Sequence, residues 1–178
     1  MKKSCLTCLA FILVILSACS RDGQGVAPRS YFCAELNGQA WEGVVSASIN
    51  SMNELNIGVN TYADRKKRIA RGSLTVEKIP IQALKQSLKP LKKDSVTLNI
   101  LGTGYSTLKE DGDVLDGRYA LVLSDSANNY IELTEVDIKR KRFKGEFSGT
   151  YVKANNPAGL ASDTMRFRNG KFFIKLRD

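Results

Sequence analysis

The chain holds no histidine among its 178 residues, which removes a Ser-His-Asp triad and a histidine-ligated zinc from consideration. Carboxylates, basic side chains and a thiol are the groups whose spacing invites a chemical reading. Glu132 and Glu146 are a candidate carboxylate pair if their segments are neighbouring strands. A retaining glycosidase needs two carboxyl groups about 5 Å apart in a cleft, whereas outward-facing strand glutamates are the ordinary expectation. Asp111, Asp113 and Asp116 lie in an Asp- and Gly-rich stretch, Glu110 to Gly117, whose hard oxygens suit calcium. The spacing departs from an EF-hand loop, because Asp116 comes one residue late and Val122 stands where a bidentate Glu belongs. A strand-joining turn is the simpler expectation, and no cofactor is expected. Two basic runs, Arg65-Lys66-Lys67-Arg68 and Lys139-Arg140-Lys141-Arg142, could bind an anion together if they share one end of the fold. Apart, they are solvated hairpin tips that keep strand edges from pairing with other chains.

The remaining chemistry belongs to a cysteine. Met1-Lys2-Lys3 is a short basic head, and Leu6 to Leu16 is an apolar run too short to cross a bilayer comfortably. That is the anatomy of a secretory signal peptide. Leu16-Ser17-Ala18-Cys19 resembles the lipobox of bacterial lipoproteins. The resemblance implies that the Cys19 thiol is diacylated, residues 1–18 are cut off, and the freed amine is acylated in turn. One acyl chain holds a protein marginally, whereas two or three attach it stably without a spanning helix. Ser20, in place of Asp, resembles lipoproteins sent to the outer membrane. Cys5 and Cys8 leave with the leader and Cys19 takes the lipid, so the expectation is a fold anchored by lipid and not stapled by a disulfide. Cys33 is expected to be a small strand residue, since no histidine is present to activate it.

Residues 20–30 (SRDGQGVAPRS) are polar and carry two glycines and a proline. They read as a tether of roughly 15–20 Å r.m.s. span, so that residues 19–30 form the lipidated Cys and its linker and residues 31–178 the folded domain. Loss of Lys2 and Lys3 with an acid-free leader takes the formal charge from +9 to +7. The domain stays basic, which favours anionic partners and also simple solubility. Nucleic acid is not expected as a partner in the cell envelope.

In the domain the apolar period is two. Phe32, Ala34 and Leu36 alternate with polar neighbours, and so do Leu55, Ile57 and Val59; Leu74 and Val76; Val96, Leu98 and Ile100; Tyr119, Leu121 and Leu123; Ile131 and Leu133. Such runs predict an antiparallel all-β domain, barrel-like or a two-sheet sandwich. Asn37-Gly38 and Asn169-Gly170 each read as a hairpin turn, because a type I′ turn needs positive φ at both central residues. The odd step from Leu133 to Val136 predicts a β-bulge near Thr134-Glu135, keeping those side chains and Ile138 on one face. Phe143, Gly145, Phe147, Gly149 and Tyr151 place rings and glycines on one face, so that rings cover backbone. One segment reads as helix: Pro80 at its start, Ile81, Leu84 and Leu88 on one side, and Pro90 as its stop. It is expected to plug one end of the barrel or sandwich.

LNGQAW, NNYIELTEVD, FKGEFSGTYV and MRFRNGKFFIKL resemble the β-rich lipoproteins of Bacteroidetes, a group of domains without an assigned activity. The matching positions are Asn37, Gly38 and Trp41; Ile131 to Asp137; Gly145 to Gly149; and Asn169, Gly170 and Phe172. The resemblance implies a fold and an address. The sequence thus favours a non-catalytic envelope module, held to the membrane through Cys19 and binding an anionic glycan, a lipid or a protein. A carboxylate-dependent glycan hydrolase and a lipocalin-like carrier of a small hydrophobic ligand are the alternatives.

Overall fold

Asn37 and Gly38 take φ values of 52° and 80°, so the first Asn-Gly is the tight turn its chemistry demands. It joins β1 (Tyr31–Leu36) to β2 (Gln39–Ile49). The computed structural model describes residues 29–64, 66–67, 69–90, 101–112, 114–154 and 164–176. Beyond the first hairpin come β3 (Glu54–Asp64), β4 (Ile69–Pro80), β5 (Lys85–Ser87), β6 (Lys89–Pro90), β7 (Gly102–Leu108), β8 (Leu115–Leu121), a 3-10 turn (Leu123–Asn128), β9 (Tyr130–Asp137), β10 (Arg142–Lys153) and β11 (Thr164–Lys175). Eight antiparallel strands close on themselves in the order β1-β2-β3-β4-β7-β8-β10-β11. The fold is therefore a barrel and not a sandwich. Closure removes the long free edges that an open sheet would expose.

Strand direction defines two ends. The β1–β2, β3–β4 and β7–β8 turns lie at one, the Gly38 end. The β2–β3 and β9–β10 turns lie at the other, together with the start of β1 and the finish of β11. This is the Ser30 end, where the Ser30 hydroxyl donates to the Lys175 carbonyl (3.2 Å) and accepts from the Lys175 amide (3.0 Å).

Aromatic rings fill the interior. Phe143, Phe147 and Tyr151 recur every fourth residue on β10 and are fully buried, with glycines between them. At Gly145 a Cβ would collide with the Glu132 carbonyl and the Phe172 ring, so the ring does cover bare backbone. Phe32 stacks on Phe172 at 5.9 Å, and Phe167 meets Tyr105, Tyr151 and Trp41 edge-on at 5.2, 5.8 and 5.0 Å. Such pairs add about 0.5–1.5 kcal/mol each beyond the area they bury. The Thr103 hydroxyl donates to the Thr75 carbonyl, so the Tyr151 hydroxyl, 2.6 Å from Thr103 Oγ1, supplies the proton between them. Along β2 the inward residues Trp41, Val45, Ala47 and Ile49 pack against this core yet stay half-buried.

Several expectations need correction. Asn169-Gly170 is no hairpin: β11 runs straight through it as a bulge against both β1 and β10, with Asn169 at φ 54°. Phe167 and Phe172 lie on one face under either geometry, so the pattern could not separate them. Ile81 to Leu88 is no helix. Its residues form β5 and the approach to β6, because β9 offers an edge and takes backbone hydrogen bonds from Lys85 to Ser87, which an uncapped helix of two turns cannot match. The short helical element is instead the 3-10 turn, which starts on an exposed Leu123. The bulge at Thr134 is present, with Leu133 opposite Gly145 and Glu135 opposite Lys144. Ile138 falls beyond it in the turn and is 57% exposed. Cys33 is a half-buried residue of β1, opposite Glu42 of β2 and Lys171 of β11. Val96, Leu98 and Ile100 lie outside the described residues.

Candidate functional site

Outward-facing polar residues of β10 and β11 meet the 3-10 turn in one network. Arg168 Nη2 donates to Asp125 Oδ2 (3.0 Å) and to Thr150 Oγ1 (2.8 Å), while Nη1 donates to the Phe167 carbonyl (2.8 Å). The Thr150 hydroxyl and Asn128 Nδ2 also donate to Asp125. These donors hold the Asp125 carboxyl below the usual range, Thr150 first, then Asn128, with Arg168 adding to them against the opposing effect of burial. Asn129, almost fully buried, receives the Thr150 amide on Oδ1 (2.9 Å) and donates through Nδ2 to the Val122 carbonyl (2.7 Å). The turn is thus clipped to the barrel wall at three points.

Beside this clip lies a shallow depression of about 530 Å³ lined by Glu35, Asn37, Gly38, Thr164, Arg166 and Arg168. Asn37 builds one wall. Its left-handed backbone lets Nδ2 donate to the Thr164 carbonyl (3.0 Å) and Oδ1 accept the Arg166 amide (2.9 Å). Glu35 stands opposite Arg168 in the β1–β11 register, and the exposed Arg166 lies at the rim. One guanidinium is thus committed to structure and the other faces solvent, an arrangement able to hold a carboxylate or phosphate weakly.

Glu132 and Glu146 do face each other directly across β9 and β10. Lys85 lies opposite Glu132 on β5, and Lys171 opposite Glu146 on β11. The row reads basic, acidic, acidic, basic across four strands on the outside of the sheet, so each carboxylate has a like charge opposite it on one side and a lysine on the other, and this outer wall is not a cleft of the kind acid-base chemistry uses. Asp111 accepts the Val114 amide (3.2 Å), Gly112 has φ 79°, and Asp116 accepts the Thr107 hydroxyl (3.2 Å). That is a hairpin turn. Asp113 lies outside the described residues, among which no three His, Cys, Asp or Glu side chains form a metal-holding group.

The two basic runs do not form one patch. Lys66 and Lys67 sit at the Gly38 end, where Asp64 Oδ1 accepts both their amides (2.8 and 3.2 Å). Lys139, Arg140 and Lys141 form the β9–β10 turn at the Ser30 end, and Arg142 opens β10. Arg65, Arg68 and Cys19 lie outside the described residues. Sequence reading missed Asp125, Thr150, Arg166 and Arg168. The one available signal was the run of turn-forming residues Ser124-Asp125-Ser126-Ala127-Asn128-Asn129 between two strands. No protein family matches the sequence, and no curated protein or solved structure is significantly similar to it.

Proposed function

We propose that this chain is a lipid-anchored protein of the bacterial envelope, of the Bacteroidetes β-rich lipoprotein type, acylated at Cys19 and directed to the outer membrane. Its barrel acts there as a non-catalytic binding module for an anionic glycan, lipid or protein. The observation that carries this reading is the division of labour in the barrel. Rings seal the core, and the polar side chains that could do chemistry lie on the outer wall, tied to each other and to backbone. A binding surface needs only such a rigid wall with exposed charge. The anchor is tested by feeding cells a fatty-acid analogue, which should label the wild-type protein and leave Cys19→Ser unlabelled. Equal labelling refutes it. The binding role is tested by copurifying the mature protein from its cells and identifying bound molecules by mass spectrometry; repeated recovery with nothing bound counts against it.

One observation favours the carrier as a second reading. Trp41, Val45, Ala47 and Ile49 are apolar, inward-facing and half-buried, so a small apolar ligand could lie along β2. Trp41 is the sole tryptophan, and its fluorescence should shift on titration with a fatty acid. An unchanged spectrum at saturating ligand removes this reading.

A further inference from the structure

We propose that the Ser30 end of the barrel is a membrane-docking face, binding anionic lipid headgroups through a basic rim while Ile138 enters the headgroup layer. The residues form one connected surface. Arg29 precedes Ser30, which is bonded to Lys175. Lys175 lies opposite Arg142 in the β10–β11 register. The next residue, Leu176, donates its amide to the Lys141 carbonyl (3.0 Å), and the Lys141 amide donates to the Ile138 carbonyl (3.2 Å).

Charge at this end is one-sided. Among the described residues, Arg29, Lys139, Arg140, Lys141, Arg142 and Lys175 gather around one nearby carboxylate, Asp137. That carboxylate accepts the Arg140 amide on Oδ1 (3.0 Å) and meets the Arg140 guanidinium through Oδ2 only at 3.7 Å, with the Arg140 side chain 71% exposed. The neighbouring Glu135 is taken by Lys144 at 2.7 Å, and at the β2–β3 turn Glu54 is held by Asn50. The Nε of Arg142 is buried without a hydrogen-bond partner. At the Gly38 end, by contrast, the described residues mix both signs, with Lys66, Lys67, Lys109 and Arg166 standing among Glu35, Asp64, Glu110 and Asp111. Apolar side chains accompany the basic rim: Ile138 is 57% and Met52, in the β2–β3 turn, 52% exposed. Basic residues with exposed aliphatic side chains on one face are what an anionic bilayer surface takes up.

A lipid surface is chosen over other anions because of where the chain enters the barrel. Cys19 precedes Arg29 by ten residues, a span of roughly 17 Å for a flexible linker. On the anchor reading of the preceding section, this end is therefore the one held against the bilayer, and tethering raises the effective concentration of headgroups at the rim.

The test uses the chain from residue 19 with Cys19→Ser, so that it proceeds without acylation, sedimented with phosphatidylcholine vesicles with and without phosphatidylglycerol. Binding should require phosphatidylglycerol and weaken with salt. Each basic residue contributes roughly fivefold near an anionic surface, so Lys139→Gln with Arg140→Gln should weaken binding about 25-fold. Ile138→Asp alone should weaken it as well, and Lys66→Gln with Lys67→Gln should change it less than about threefold. All are exposed turn substitutions, and unchanged melting confirms that they fold. Absence of binding to anionic vesicles, or equal losses from the two ends, overturns the proposal. Retention of a soluble phosphorylated glycan by the same residues, without vesicle binding, does so too. Failure of Cys19 labelling in cells removes the anchor reading and leaves this vesicle result standing.

Discussion

Replacing Asp125 by Ala should cost about 2 kcal/mol of stability. The carboxylate accepts from Thr150, from Asn128 at 2.7 Å and from Arg168 at 3.0 Å. A shielded hydrogen bond to a charged group contributes about 1.5–3 kcal/mol, and an exposed ion pair only about 0–1 kcal/mol. The Asp125 and Arg168 side chains are 28% and 30% exposed, which puts them between these limits. Thr150 and Arg168 keep each other at 2.8 Å in the variant, so neither is wholly orphaned. For a domain of this size the melting temperature should fall by about 4–8 °C. The pH dependence has a definite sign. The folded carboxyl titrates below its unfolded value, so its contribution is complete above the unfolded pKa, near 3.9, and is lost as pH falls through the folded value. Chemical denaturation of wild type and Asp125→Ala should therefore show a gap that is constant from neutrality to about pH 5 and narrows towards pH 2. A cost under about 0.5 kcal/mol, or a gap that widens on acidification, refutes the reasoning. Arg168→Lys should recover only a small part of the Arg168→Met loss, since one ammonium cannot serve Asp125, Thr150 and the Phe167 carbonyl together.

Gly145→Ala should destabilise the barrel by about 3 kcal/mol, the upper range for overpacking, because the new methyl meets the Glu132 carbonyl as well as the Phe172 ring; a melting temperature within about 2 °C of wild type contradicts it. Tyr105 is pushed up to about 12 by burial and by Tyr119, and burial raises Tyr151 further despite its bond to Thr103. The unfolded phenols lose protons first, so stability should fall as pH rises above about 10, and ultraviolet titration should show both phenols ionising only with unfolding. Glu132→Gln with Glu146→Gln should change stability by less than about 0.5 kcal/mol, as for exposed strand residues; loss of a ligand found by copurification would instead give this pair a role.

The strand content was legible because the buried side chains alternate, and Asn37-Gly38 was legible because a tight hairpin turn is the commonest use of that dipeptide between two apolar runs. Asn169-Gly170 misled because local chemistry sets the left-handed residue without saying whether the chain reverses. A bulge and a turn both use it, and the choice is made by β1 and β10 flanking β11 on either side. The Ile81–Leu88 segment misled in the same way, since its offsets fit a helix while its hydrogen bonds are decided by the distant β9.

The placement of the basic turns is the most instructive case. If every connection after β7 reversed the chain, β9 would run opposite to β8 and Lys139 to Lys141 would share an end with Lys66 and Lys67. The 3-10 turn does not reverse it. Both β8 and β9 run antiparallel to β10, one along each half of it: Leu121 lies opposite Tyr151, and Tyr130 opposite Ser148. What holds the chain to that course is the clip of Asp125, Asn129 and Arg168 onto β10 and β11, formed by residues up to 43 positions apart. A half-buried ion pair on the wall thus belongs to the course that puts Lys139 to Lys141 at the Ser30 end. No charge count or period along the chain carries that information, because it depends on whether Ser124 to Asn129 turns the chain back or merely steps it sideways.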